Sequence, residues 1–407
     1  MTDPRRLRLS RFARRATVSF TAGTAMGAAC WGLGLTAPAP TLLGLAGLLG
    51  VGIGERAATA FRVRLARRRP RHRSRLSARP DQAAPREAPM SLSPDLAAFL
   101  APPAPERLPL PPAAHPSPGV RLLRGVPYAY RAGVRPLELD LWLPDETHGP
   151  LPVVLYLHGG GWRAGTRTEM GPRFRHWDPG PFARLAQAGF AVASVDYRLS
   201  GEAVHPAQLD DATAALGWLN ARADEIGLDT RRTVAWGESA GAHLAALLAL
   251  TAPLSGCVAW YGPTDLTTLP GQCQPGAYDA ADPSTREALL IGAAIADAPD
   301  LARAASPVAH VHADAPPFLV LHGAEDALIP LAQGEQLAAA LRQMGAGVDF
   351  RPVPGADHGW AGLADDGVER CFTASLDFAH ACTAGPLPPV GCATQDGSCS
   401  GRSFSPG

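Results

Sequence analysis

The sequence predicts an α/β architecture: a doubly wound, mostly parallel sheet with helices on both faces. Three observations lead there. From Val120 onwards, short apolar runs alternate with helix-period segments. Several runs are apolar throughout, as strands covered on both faces are. His158, Ser239, Asp326 and His358 each follow such a run, and ligands on these sheets sit at the carboxyl ends of the strands.

In chain order, "RPLELDLWLP" (135–144) alternates apolar with polar residues, which predicts a half-buried edge strand. "LPVVLYLHGGG" (151–161) is a continuous apolar strand broken by glycines. A helix around "GPFARLAQAG", the strand "FAVASVDYRL" and a helix over 206–226 follow. Then come the strand "RTVAWGES", the helix "AGAHLAALLALTA" and the strands "SGCVAWYG" and "PPFLVLHG". A helix over 333–344 and the strand "VDFRPVPG" complete the series. Residues 119–383 therefore read as one catalytic domain.

The front end differs. Residues 1–79 carry 16 Arg against Asp3 and Glu55, although the whole chain is formally neutral and has no Lys. Between Arg15 and Glu55 no residue is charged. As one helix this stretch would span about 58 Å, nearly twice a bilayer core. Pro38 and Pro40 divide it, so residues 16–37 and 41–60 read as a transmembrane hairpin within a segment 1–62. Basic flanks at both outer ends place the body in the cytoplasm, with a lipid bilayer as partner. The rival reading is a signal peptide and a secreted body. Residues 63–118 read as an Arg- and Pro-rich linker, and 384–407 as a disordered tail. The seven Cys have no zinc-type spacing and read as incidental thiols. Neither a dinucleotide fingerprint nor a P-loop is present, so no cofactor, metal or nucleic acid is expected.

The chemistry concentrates in two motifs. Gly237-Glu238-Ser239-Ala240-Gly241 fits G-x-S-x-G between a strand and an apolar helix. A turn that sharp needs glycine on both sides of the Ser, because a Cβ would collide with neighbouring backbone. His158-Gly-Gly-Gly is rarer, with about 0.01 occurrences expected by chance at this composition. A Ser nucleophile generates an oxyanion, which needs backbone N–H donors in a water-poor site. Glycines let that oxygen come close, so Gly160, Gly161 and Ala240 are the candidate donors. His158 reads as structural. The Ser also needs a base, and the base an orienting carboxylate. Of twelve His, His358 lies in a Gly-bounded loop after the last strand, and Asp326 follows the preceding strand. His322 reads as a structural strand-end residue. Glu325 and Asp357 are rival acids, but Asp357 adjoins the base in sequence, which disfavours the required geometry.

With "HGGGW" at 158, "DYRLS" at 196, "GESAGAHLA" at 237, "LHGAEDALIP" at 321 and "DHGW" at 357, residues 120–382 resemble α/β-hydrolase carboxylesterases. The similarity is to the hormone-sensitive-lipase-like and bacterial feruloyl-esterase-like branch. It implies the α/β-hydrolase fold, Ser239, Asp326 and His358 as nucleophile, acid and base, and Gly160, Gly161 and Ala240 as oxyanion donors. It also implies that Asp196 and Tyr197 hold loops, and that 266–311 forms a short cap. Ala242 departs from the branch, which often has a second Gly there. The pocket wall is expected near Trp162 and His205. The cap holds one aromatic residue, Tyr278, which argues for short acyl groups. The reading is a serine carboxylesterase acting on small-molecule esters, with no expectation for oligomeric state. Alternatives are an amidase or formamidase on the same triad, or a catalytically silent receptor on the same fold.

Overall fold

A computed structural model describes residues 102–384. The hairpin expected over 16–37 and 41–60, most of the linker and the tail from residue 385 lie outside the described residues. Among the described residues, no helix is long and apolar enough to cross a membrane.

Among these residues nine strands form one sheet: β1 (Ala114–Ser117), β2 (Val120–Ala129), β3 (Leu137–Pro144), β4 (Leu151–Leu157), β5 (Ala191–Val195), β6 (Leu228–Glu238), β7 (Gly256–Trp260), β8 (Phe318–Gly323) and β9 (Val348–Val353). Their spatial order is β1-β2-β3-β5-β4-β6-β7-β8-β9. The first three strands and β5 pair antiparallel, and all pairings from β5 to β9 are parallel. β5 and β7 are buried at every position, which explains their continuous apolar sequences.

Two expectations need correction. Residues 135–144 were expected at the sheet edge, yet β3 lies third from it. Its polar positions Glu138 and Asp140 face the Arg167 guanidinium at 2.8 Å each rather than open water. An alternating pattern cannot distinguish a solvated face from an ion-paired one. The linker, expected to run to residue 118, instead ends in ordered structure. β1 lies within it, and Arg222 donates to the carbonyls of Glu106 and Leu108 at 2.9 and 2.8 Å. The sequence reading also passed over β2, where Gly125 and Pro127 interrupt the pattern and the register slips.

The helices are α1 (Pro181–Gln187), α2 (Ala207–Ala221), α3 (Ala223–Ile226), α4 (Ala240–Thr251), α5 (Leu269–Gln272), α6 (Arg286–Ile291), α7 (Pro299–Ala304), α8 (Leu331–Gln343) and α9 (Asp365–Thr383). α2, α4 and α8 bury Leu216, Leu219, Leu244, Leu248, Leu337 and Leu341 on one face of the sheet. α1 and α9 pack Phe182, Leu185 and Phe372 against Tyr156, Trp236 and Trp260 on the other. α9 was not expected, although Val368, Cys371, Phe372, Ser375 and Ala379 recur at helical spacing on its buried side. Short helices α5–α7 occupy 266–311, the expected cap segment. Cys257, Cys273, Cys371 and Cys382 are free thiols.

The chain steps from β4 to β5 on one side and returns to β6 on the other. The loops after β4 and β6 therefore diverge and open a crevice at their carboxyl ends. The H-G-G-G loop follows β4, and Ser239 follows β6.

Candidate active site

Ser239 occupies the turn from β6 into α4 with φ 51° and ψ −119°. Its flanking glycines are sterically required. A Cβ at Gly237 would lie 2.2 Å from the Gly241 carbonyl oxygen, and one at Gly241 would lie 1.9 Å from that of Leu157. Close packing of α4 onto β4 and β6 thus depends on two missing methyl groups. The Ser239 N–H donates to the Trp260 carbonyl at 2.8 Å, which ties the turn to β7. The Ala242 methyl finds room because its neighbour is Gly262, where a Cβ would approach within 2.8 Å.

The structure brings the three expected residues together. His358 Nε2 lies 3.0 Å from Ser239 Oγ, and His358 Nδ1 lies 2.8 Å from Asp326 Oδ2. The other Asp326 oxygen accepts from the amides of Leu328 and Ile329 at 2.9 and 2.8 Å. Four hydrogen-bonded atoms therefore fix the imidazole plane before any ligand arrives. Asp357 is excluded as the orienting acid, because its carboxylate accepts from the amides of Ala327 and His358. Those amides also hold it below the ordinary carboxylate range. Glu325 is exposed. Buried His322 donates from Nε2 to the Ile329 carbonyl at 2.8 Å, as a strand-end residue should.

His158 stacks on Tyr197 at 4.3 Å between ring centroids, and its Nδ1–H donates to the Gly159 carbonyl at 2.7 Å. The Tyr197 hydroxyl donates to the His158 carbonyl at 2.7 Å. Burial lowers the proton affinity of His158, so it stays a neutral loop anchor. The glycines after it also meet a steric constraint. A Cβ at Gly160 would meet the Ala164 carbonyl oxygen at 2.2 Å, and one at Gly161 would meet the Arg286 side chain of α6 at 2.7 Å. The loop's own turn and the cap helix leave no space for a side chain at either position. Gly160 and Gly161 have positive φ. Ala240, the third candidate donor, is the first residue of α4.

Trp162, expected in the pocket wall, is 1% exposed and packs edge-on against His243 at 4.9 Å. It supports the loop from beneath and offers substrate no face. His205 is half-buried and its backbone amide donates to the Leu290 carbonyl of α6 at 2.7 Å, so it borders the cap.

Sequence reasoning missed three residues. Arg167 joins the far end of the loop to Glu138, Asp140 and Asp196, and its amide donates to Asp196 at 2.7 Å. Glu238 is buried beside the nucleophile, and Tyr261 lies between Glu238 and His358. Among the described residues, the non-glycine positions with positive φ are Trp162, Ser239, Tyr261 and Trp360, all at this site. Such backbone costs about 1–3 kcal/mol per residue and persists where surrounding structure fixes it. No group of His, Cys, Asp and Glu among the described residues could hold a metal ion.

The profile of the BD-FAE family matches residues 139–341. Esterase LipI of Mycobacterium tuberculosis is 32% identical over 237 residues, covering 54% of this chain and 68% of the relative. The chain belongs to the α/β-hydrolase esterases. Esterase LipQ of the same organism is 32% identical over 241 residues, 56% of this chain and 55% of its own. The chain thus spans little more than half of LipQ. A truncated carbohydrate esterase from gut microbiota is 26% identical with a TM-score of 0.57, covering 65% of this chain and 96% of that structure.

Proposed function

We propose that the esterase domain is a serine carboxylesterase that hydrolyses short-chain or aryl esters through an acyl-enzyme. The observation that carries this is the unbroken relay from Ser239 Oγ through His358 to Asp326, at 3.0 and 2.8 Å. His358 Nε2 takes the Ser239 proton as Oγ attacks the ester carbonyl. Asp326 holds the ring in the tautomer that keeps Nε2 free to accept. The N–H groups of Gly160, Gly161 and Ala240 receive the carbonyl oxygen as it becomes an oxyanion, each worth on the order of 10²–10³ in rate. His358 then protonates the departing alcohol, and water repeats the sequence to release the acid. The cap's three short helices and single aromatic residue favour small acyl groups.

The test uses the full-length chain with 4-nitrophenyl acetate, butyrate and decanoate, beside Ser239→Ala. Turnover should favour the short esters and vanish in the variant. Undiminished turnover by Ser239→Ala would overturn the assignment, and faster cleavage of a matched anilide would make the domain an amidase. For the whole chain, the uncharged stretch between Arg15 and Glu55 supports tethering of the domain to the cytoplasmic face of a membrane. A reporter fused after residue 80 that is active only outside the cell would reverse that orientation.

A further inference from the structure

The proposed relay uses Asp326 but not the second buried carboxyl beside it. Glu238 is 6% exposed and precedes the nucleophile. The fold leaves room for its carboxyl on two sides. A Cβ at Gly171 would lie 2.4 Å from Oε2, and one at Gly159 would lie 3.3 Å from Oε1. Into this space the Tyr261 hydroxyl donates at 2.7 Å to Oε2. Tyr261 is itself buried, with φ 41°, and its ring stands edge-on to His358 at 4.9 Å and to Trp360 at 4.6 Å. One carboxylate therefore touches the ring that packs on the base and borders the loop after β4.

Resting on the serine-hydrolase reading, we propose that Glu238 is a positioning residue for His358. Its carboxylate holds Tyr261 against the imidazole, and its charge favours the imidazolium that forms as Ser239 loses its proton. Burial leaves the Glu238 carboxyl raised above the ordinary carboxylate range, although the Tyr261 hydroxyl, the Gly159 amide, the Tyr156 hydroxyl and the charge on His358 oppose it. The groups around His358 are His322 in β8 and Asp326 after it, Asp357 on its own loop, Glu238 at the end of β6 and Ser239 after it, and Tyr261 after β7.

The experiment compares Glu238→Gln and Tyr261→Phe with wild type in the full-length chain. Two readouts are used: the pH profile of kcat/KM on 4-nitrophenyl butyrate, and an NMR titration of His358, assigned with His358→Gln. In Glu238→Gln, kcat should fall about tenfold, and both the acid limb and the His358 midpoint should move to lower pH by roughly 0.5–1 unit. Tyr261→Phe should move both the same way by less. An unmoved or raised midpoint in Glu238→Gln overturns the proposal, even if activity falls, because a purely structural loss lowers rates at every pH. If Glu238→Gln does not fold, an unmoved midpoint in Tyr261→Phe overturns it instead. The titration needs no turnover, so failure of the esterase reading appears separately, as absent hydrolysis by wild type.

Discussion

At Gly241 one absent methyl lets α4 lie against the end of β4. Gly241→Ala would place a Cβ 1.9 Å from the Leu157 carbonyl oxygen, so helix and strand must separate. We expect a loss of about 3 kcal/mol, which lowers Tm by on the order of 10 °C, with kcat/KM down about 100-fold. Calorimetry and ester hydrolysis together check this. The requirement was legible because backbone collision depends only on a sharp strand-to-helix turn. At Gly160 and Gly161 the residues were legible but their steric constraint was not, since Ala164 and Arg286 become neighbours only once the loop and cap are folded. His243 makes a second residue-scale prediction. Burial, with His205 nearby, pushes its imidazole down to about 3, and Nε2 donates to the Ala305 carbonyl at 2.6 Å. The unfolded imidazole titrates near 6.5, so between about pH 6.5 and 3 the unfolded chain binds the extra proton and stability falls as the pH is lowered. From pH 7 to 5 this amounts to about 2 kcal/mol. Urea unfolding at both pH values should show that difference shrinking in His243→Gln, and an unchanged difference would contradict the assignment.

At the scale of elements, the loop after β4 is held by charge as much as by packing. Asp140 and Asp196 are both buried, and Arg167 bridges them. Arg167→Met would leave buried carboxylates without their main cation, at a cost of about 3–5 kcal/mol. A fall in Tm accompanied by a lower kcat on esters is expected. Stability equal to wild type would mean that water or Arg135, 3.9 Å from Asp196, takes over. The same network explains why β3 read as an edge strand, because Glu138 and Asp140 are polar for Arg167 rather than for solvent. β2 was illegible because Gly125 and Pro127 break its alternation at register slips that only its partner strand defines. The central strands β4 to β8 were legible because burial on both faces leaves apolar runs as their signature.

Across the molecule, the site was legible because its residues all follow strands whose carboxyl ends meet at one edge of the sheet. The order Ser239, Asp326, His358 along the chain follows the order β6, β8, β9 across the parallel half of the sheet, with β7 between the first two. Tyr261 and Glu238 were not legible, since a buried carboxyl beside a nucleophile gains meaning only from what packs upon it. The serine-hydrolase account predicts a covalent intermediate on one named atom. The most direct test is rapid-quench intact-mass analysis of the full-length chain with 4-nitrophenyl butyrate, followed by peptide mapping. The account predicts a transient butyryl adduct on the peptide containing Ser239, absent from Ser239→Ala and formed far more slowly in His358→Gln. Ester hydrolysis with no adduct at any quench time, or an adduct on another residue, would contradict it.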